Sequence, residues 1–253
     1  MDRRHFLDLT LYKVRADLKA EARQGNLGLL WWVVEPLLYL GAFYVIFGLV
    51  LERGGPGFVP WLLTGLVAWK WLDTSVRMAA GSIRAGRGLM NQVYLPKLFF
   101  PAVALLKNGA RFLFSLGLLL LFLVLAGIQP HWSWTALPAV MALQALVIAG
   151  LALTLAALVP LWPDLMLLVN NGLMLLFFLS GVFFDLSQAP GWLHTLLMVN
   201  PVAPVLAAWR AALLDRPWPD WPWLAWSALF GALAAWLGLW LLRRFDRHYP
   251  RLP

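Results

Sequence analysis

Residues 98–127 read LFFPAVALLKNGARFLFSLGLLLLFLVLAG, a run in which Lys107 and Arg111 are the only charges. A helix rises 1.5 Å per residue and the hydrocarbon core of a bilayer is about 30 Å thick, so roughly 20 such residues cross it. Five further stretches qualify: 29–51, 58–81, 135–159, 165–184 and 223–242. The pattern predicts an all-α integral membrane protein with six transmembrane helices. Composition agrees, since 62% hydrophobic residues, a mean hydropathy of +0.74 and 16 Trp in 253 residues do not suit a soluble domain. They suit a membrane bundle with aromatic residues at its interfaces.

Basic residues orient the bundle. Arg3, Arg4, Lys13, Arg15, Lys19 and Arg23 precede the first span, Arg84, Arg87 and Lys97 lie in 83–97, and Arg243, Arg244, Arg247 and Arg251 follow the last. Six spans put these three regions on one side. The opposite connections hold Arg53, none in 128–134, then Arg210 and Arg216. The positive-inside rule therefore places both termini in the cytoplasm. The net charge of +8 reads as topology and contact with anionic lipid, not nucleic-acid binding. The absence of cysteine excludes disulfides and Cys-ligated metals. The first 28 residues hold ten charges ahead of any apolar run, unlike a cleaved signal, so the first helix is expected to remain.

Residues 5–24 predict a helix lying on the inner membrane face. Leu7, Leu11, Val14 and Leu18 form an apolar stripe, and Arg15, Lys19 and Arg23 a basic ridge. Such a helix is either an anchor or an anchor that also touches a cytoplasmic partner. The connection 82–97 is short, basic and broken by Gly86, Gly88 and Pro96. The connection 185–222 differs, because 191–199 and 201–214 are apolar yet too short to span and are separated by Asn200-Pro201. They read as a re-entrant hairpin shaping the mouth of a pathway, or as a flap on lipid.

Charge within a span costs roughly 2.5–3.5 kcal/mol, so each charge needs a partner, a wet cavity or the interface. Lys70 and Asp73 fall near mid-membrane, one turn apart, and are expected to pair or to line a pathway, with Arg77 snorkelling inward. Lys107 and Arg111, at i, i+4, are expected near the inner interface. Glu35 precedes Pro36, whose bend opens a cavity for it to face. Trp31, Trp32, Trp61, Trp162, Trp192, Trp221 and Trp223 fall at interfaces as an aromatic belt. Phe43, Tyr44, Trp69, Trp71, Phe177, Phe178, Phe183 and Phe184 lie deeper or flank the hairpin, where they serve core packing or offer faces on which sugars stack.

These pieces carry a family resemblance over nearly the whole chain. The residues are Leu27-Gly28-Leu29-Leu30-Trp31 with Glu35-Pro36, then Leu63-Thr64-Gly65-Leu66 with Trp69, then Gly88-Leu89-Met90-Asn91 and Val93-Tyr94-Leu95-Pro96-Lys97. Asp164, Ser180-Gly181-Val182-Phe183-Phe184, Asn200-Pro201 and Arg210 follow in order. The chain resembles the membrane subunits of ABC exporters for lipid-linked polysaccharides, of the O-antigen, capsule and teichoic acid type. Glu35-Pro36 is closer to the capsule branch, whereas Val93-Tyr94-Leu95-Pro96-Lys97 is closer to the O-antigen branch.

The resemblance implies one permease domain over 1–253, a homodimer in the bacterial inner membrane, two cytoplasmic ATP-binding subunits and, as a further partner, a periplasmic export protein. It assigns 5–24 as the interfacial helix, 83–97 as the coupling connection and 186–214 as outer gate helices. Arg87, Leu89, Met90, Asn91 and Tyr94 would then meet the ATPase, and Trp192, Asn200, Pro201 and Arg210 would form the outer gate. Glu35, Phe43, Trp69, Lys70, Asp73, Lys107, Arg111, Phe177, Phe183 and Phe184 would line the substrate pathway. The chain has no GxxxxGK[ST] loop to cradle ATP, so hydrolysis must come from a partner. No cofactor or metal is expected. An exporter of drugs or small lipids with the same architecture is the main alternative. A membrane acyl- or glycosyltransferase is remote, since His5, His131, His194 and His248 lie near span ends without metal or triad spacing.

Overall fold

The computed structural model of the chain describes residues 3–23 (the side chain of Ala22 apart), 57–90, 92–246 and 249, with isolated residues at 34, 37, 38, 41, 42, 45 and 46. Most of the expected first span, including Glu35 and Phe43, lies outside the described residues, as does Asn91. Every regular element described is helical: α1 (Arg3–Arg23), α2 (Phe58–Ala85), α3 (Arg87–Met90), α4 (Phe99–Leu125), α5 (Leu137–Leu158), α6 (Leu165–Leu179), α7 (Gly191–Met198), α8 (Val202–Leu214) and α9 (Trp221–Arg244). By length and composition α4, α9 and the stretch Trp132–Leu158, which joins a 3-10 turn to α5, are each able to cross a membrane. The chain is a multi-pass membrane protein.

Local chemistry sets the ends. α2 opens after Gly57 at φ 91°, and closes where the Gly86 N–H returns to the Ser82 carbonyl at 2.9 Å. A Cβ on Gly86 would collide with the Phe100 ring, so glycine is needed for the close approach of α4. α4 stops in a Schellman turn: Gly127, at φ 87°, donates to Val124 at 3.0 Å and Ile128 donates to Leu123 at 3.0 Å. α6 is shorter than the expected span 165–184. It ends at Leu179, and its 15 residues cover about 22 Å. The chain turns there at Gly181, whose φ of 69° is costly for any residue with a Cβ.

α2 is the axis. Leu62, Leu66, Leu72, Val76 and Ala80 are buried against α4, α5, α6 and α8. One polar link from it to the bundle is Gln144 of α5, whose amide donates to the Ala68 carbonyl at 2.6 Å and accepts from the indole of Trp209 in α8. The most extensive helix pair is α5 with α9. A Cβ on Gly150 would lie 2.7 Å from the Gly231 carbonyl oxygen, and one on Gly238 2.5 Å from the Thr154 nitrogen. Lipid offers no hydrophobic drive for helix pairing, so close packing of small residues and interhelical hydrogen bonds must supply it. The Thr154 hydroxyl adds one such bond, donating to Ala234 at 2.7 Å.

α7 and α8 meet at 100° across a break at 199–201. The Asn200 amide donates to the Ser180 hydroxyl at 2.8 Å, while its carbonyl oxygen accepts the Val202 N–H at 3.0 Å and so caps α8. The bundle thus has two unlike ends: a basic one with α1, 83–97 and Arg243–Arg244, and an opposite one with the bent helix pair.

Candidate functional site

Four of the expected pathway residues come together. Trp69 of α2 meets Phe177 of α6 at 5.5 Å between ring centres, Phe177 meets Phe183 at 5.7 Å, and Phe183 meets Phe184 at 5.5 Å. Phe178 completes the cluster, 5.4 Å from Phe177. Trp69 is buried within it, whereas Phe178 is exposed, so the cluster offers an edge rather than a row of open faces. Trp71 stacks instead on Phe112, at 4.0 Å, as core packing.

α2 also carries an ion pair. Asp73 accepts from Arg77 at 2.8 Å, one turn further on, and Arg77 also donates to the Asn170 side chain of α6. The i, i+4 spacing of Asp73 and Arg77 suits a salt bridge along one helix face, and Asn170 draws the guanidinium across to α6. Arg77 therefore ties α2 to α6.

Lys107 and Arg111 likewise do more than reach the interface. The Lys107 amine lies 2.7 Å from a carboxylate oxygen of Glu21 in α1, and the Arg111 guanidinium engages the other oxygen. Burial pushes the Glu21 carboxyl up, but hydrogen bonds and charge from Lys107 and Arg111 prevail and hold it below its ordinary value. α1 packs through Phe6, Thr10, Val14, Leu18 and Glu21, with Phe6 edge-on to Phe99 at 6.4 Å. The expected stripe is thereby split: Val14 and Leu18 face the bundle, while Leu7 and Leu11 are exposed, as suits a helix lying against lipid.

At the opposite end Arg210 is only 6% exposed. Its guanidinium donates to the carbonyls of Gly181 at 2.8 Å and Val182 at 2.7 Å and lies 3.5 Å above the Trp61 ring. Gly65 makes room for it, since a Cβ there would meet the guanidinium. Arg210 thus fastens α8 to α2 and to the turn after α6. Trp61, expected in an interfacial belt, is buried under it, whereas Trp162, Trp192 and Trp221 are exposed as a belt requires. A cavity of about 340 Å³ beside Arg210 is lined by Trp61, Asp185, His194, Arg216 and Asp220. Among the described residues no cluster of His, Asp or Glu is arranged to hold a metal ion.

At the basic end the connection 83–97 holds the short α3 and then an irregular stretch. Leu89, Val93 and Tyr94 are exposed, whereas Met90, Leu95 and Lys97 are buried. Of the expected coupling residues, Leu89 and Tyr94 thus present themselves outward, Arg87 is half-buried and Met90 packs inward. A residue that sequence reasoning missed, Asp246, accepts from the Tyr94 hydroxyl at 2.7 Å and the Lys97 N–H at 3.0 Å. Tyr249 is buried with its hydroxyl donating to Ala157 at 3.0 Å. Burial, with the Asp246 charge second, raises its phenol above the usual range.

A bundle of apolar helices around a charged α2, with α1 at one end and a bent helix pair at the other, is the architecture of a multi-pass membrane protein. The chain belongs to the ABC-2 type transporter family, whose model matches residues 10–214. It is 30% identical over 214 residues to an O-antigen export system permease protein RfbA from Myxococcus xanthus, covering 84% of this chain and 82% of the relative. A protein of the same name from Klebsiella pneumoniae is 27% identical over 212 residues, covering 83% and 82%. The polysialic acid transport protein KpsM of Escherichia coli is 26% identical over 228 residues, covering 86% of each.

Proposed function

We propose that this chain is the channel-forming subunit of an ATP-driven exporter that carries a lipid-linked polysaccharide across the bacterial inner membrane, with its basic end in the cytoplasm. The observation that carries the reading is the likeness, over most of their length, to permeases named for exporting O-antigen and for transporting polysialic acid. Both cargoes are long glycans. Six spans per copy include one over 29–51, and the bent pair α7–α8 re-enters from the outer face. Leu62, Leu66, Leu72 and Trp209 fill the centre of the described bundle, which supports a passage between two copies rather than inside one.

The parts then have roles. Two ATP-binding subunits, one for each copy, press on 83–97 through Arg87, Leu89, Asn91 and Tyr94, with Met90 packed behind them. Their closure tilts α2 and opens the outer gate formed by α7 and α8, where Asn200, Pro201 and Arg210 fix the hairpin and Trp192 rests in the interface. Glu35, Phe43, Lys70, Asp73 and the cluster of Trp69, Phe177, Phe183 and Phe184 border the passage, while Lys107 and Arg111 hold α1 beside it. A long polymer fits no closed pocket, so it moves through a continuous channel.

The test is ATP hydrolysis by the complex reconstituted in liposomes. Stimulation by a lipid-linked glycan and not by small amphiphiles is the expected result. Stimulation by small amphiphiles alone would instead make the chain an exporter of drugs or small lipids.

A further inference from the structure

We propose that Asp246 is a positioning residue that clamps the coupling connection to the last helix, so that α9 carries the displacement of that connection to the outer hairpin. This rests on the reading of 83–97 as the coupling connection. A segment that transmits force must be stiff, and residues 92–97 are not helical. Gln92 and Val93 are still held by the Leu89 carbonyl, at 3.2 and 3.1 Å, but Pro96 has no N–H to donate. The stiffness comes from outside. One carboxylate takes Tyr94 at the near end of the stretch and the Lys97 backbone at the far end. The Lys97 amine donates to the Leu95 carbonyl at 3.0 Å and lies 5.2 Å from the centre of the Tyr94 ring. Asp246 is the sole acid after Arg243, set among Arg243, Arg244, Arg247 and Arg251.

Asp246 stands two residues beyond α9, so whatever moves the connection also pulls on that helix. α9 is well placed to pass the movement on. Its 24 residues extend about 36 Å, enough to cross the membrane. It is tied along its length to α5 by the glycine contacts, and beyond its end by Tyr249. Near its outer end the Trp226 indole donates to the Val199 carbonyl at 2.9 Å. Val199 closes α7 immediately before the Asn200-Pro201 break, so the bond falls on the bend between the two gate helices. The same helix is therefore joined to the coupling connection through Asp246 just beyond one end, and hydrogen-bonded to the hinge of the hairpin near the other.

The experiment uses the complete complex with its ATP-binding subunits, carrying Asp246→Ala, Asp246→Asn, Asp246→Glu or Trp226→Phe, and compares glycan exported per ATP hydrolysed. A cysteine at Leu89, in this otherwise cysteine-free chain, reports docking through disulfide crosslinking to a cysteine in the ATPase. Asp246→Ala removes two charge-assisted hydrogen bonds, and export per ATP is expected to fall about tenfold while hydrolysis and crosslinking persist. Asp246→Asn falls less, Asp246→Glu recovers, and Trp226→Phe lowers the ratio from the other end. A folded Asp246→Ala complex with the wild-type ratio overturns the inference. So does a loss of crosslinking in step with export, because Asp246 would then only shape the docking surface. If Asp246→Ala does not fold, an unchanged ratio in Trp226→Phe overturns it. Failure of the Leu89→Cys complex with Asp246 intact to crosslink removes the coupling reading itself, and the clamp with it.

Discussion

Replacing Glu21 by Gln leaves Lys107 and Arg111 without their carboxylate. The side chains of Glu21, Lys107 and Arg111 are 22%, 11% and 25% exposed, so the site is neither sealed nor free in water. Breaking a fully buried pair costs about 3–5 kcal/mol and losing an exposed one about 0–1, which puts this network at about 2 kcal/mol. For a chain of this size that lowers the melting temperature by about 4–8 °C. The effect must also depend on pH. Because the folded Glu21 carboxyl sits below its ordinary value of 4.5, its stabilisation is complete above that value and is lost as pH falls through the lower, folded one. The assay is tryptophan emission against temperature at a fixed scan rate, for the purified protein in detergent. Wild type should exceed Glu21→Gln by the full margin at neutral pH, and the two should converge as pH falls through that lower, folded value. Equal melting at neutral pH, or a gap that stays constant with pH, would refute the reasoning.

Other substitutions probe the frame. Arg210→Met leaves the Gly181 and Val182 carbonyls buried and unpaired and should destabilise the fold by about 3 kcal/mol, seen as a sharp drop in folded yield on size-exclusion chromatography. Gly238→Leu forces α9 off α5 and should prevent folding, whereas Gly172→Ala, with open space at its Cβ position, should be tolerated in the same assay. Asp73→Leu with Arg77→Met should melt closer to wild type than either change alone, because each single variant strands one charge; additivity would mean that the two do not interact.

Long apolar runs made α2, α4, α5 and α9 legible in the sequence, since each exceeds any turn in length and in period. The short helices α7 and α8 were legible for the opposite reason: Asn200-Pro201 interrupts an apolar stretch that would otherwise be long enough to span. Contacts between distant residues left no such trace. Glu21 binds Lys107 across 86 positions, and a hydrophobic period along α1 says nothing of which acid meets which base. The packed face of α1 is also rotated away from its apolar stripe, so that Leu7 and Leu11 of that stripe are exposed. Asp246 was hidden among basic residues that read only as a topology signal. Arg210 was marked as a gate residue by resemblance, yet its role as a donor to two backbone carbonyls depends on a turn at Gly181 that hydropathy does not reveal.

The central claim is that the chain exports a polysaccharide. Deleting its gene in the native bacterium and measuring glycan on the cell surface and on the lipid carrier inside the cell tests it most directly. The account predicts that surface polysaccharide disappears, that full-length lipid-linked glycan accumulates inside, and that the unaltered gene reverses both. Surface polysaccharide at the wild-type level in the deletion strain, with no internal accumulation, would contradict it.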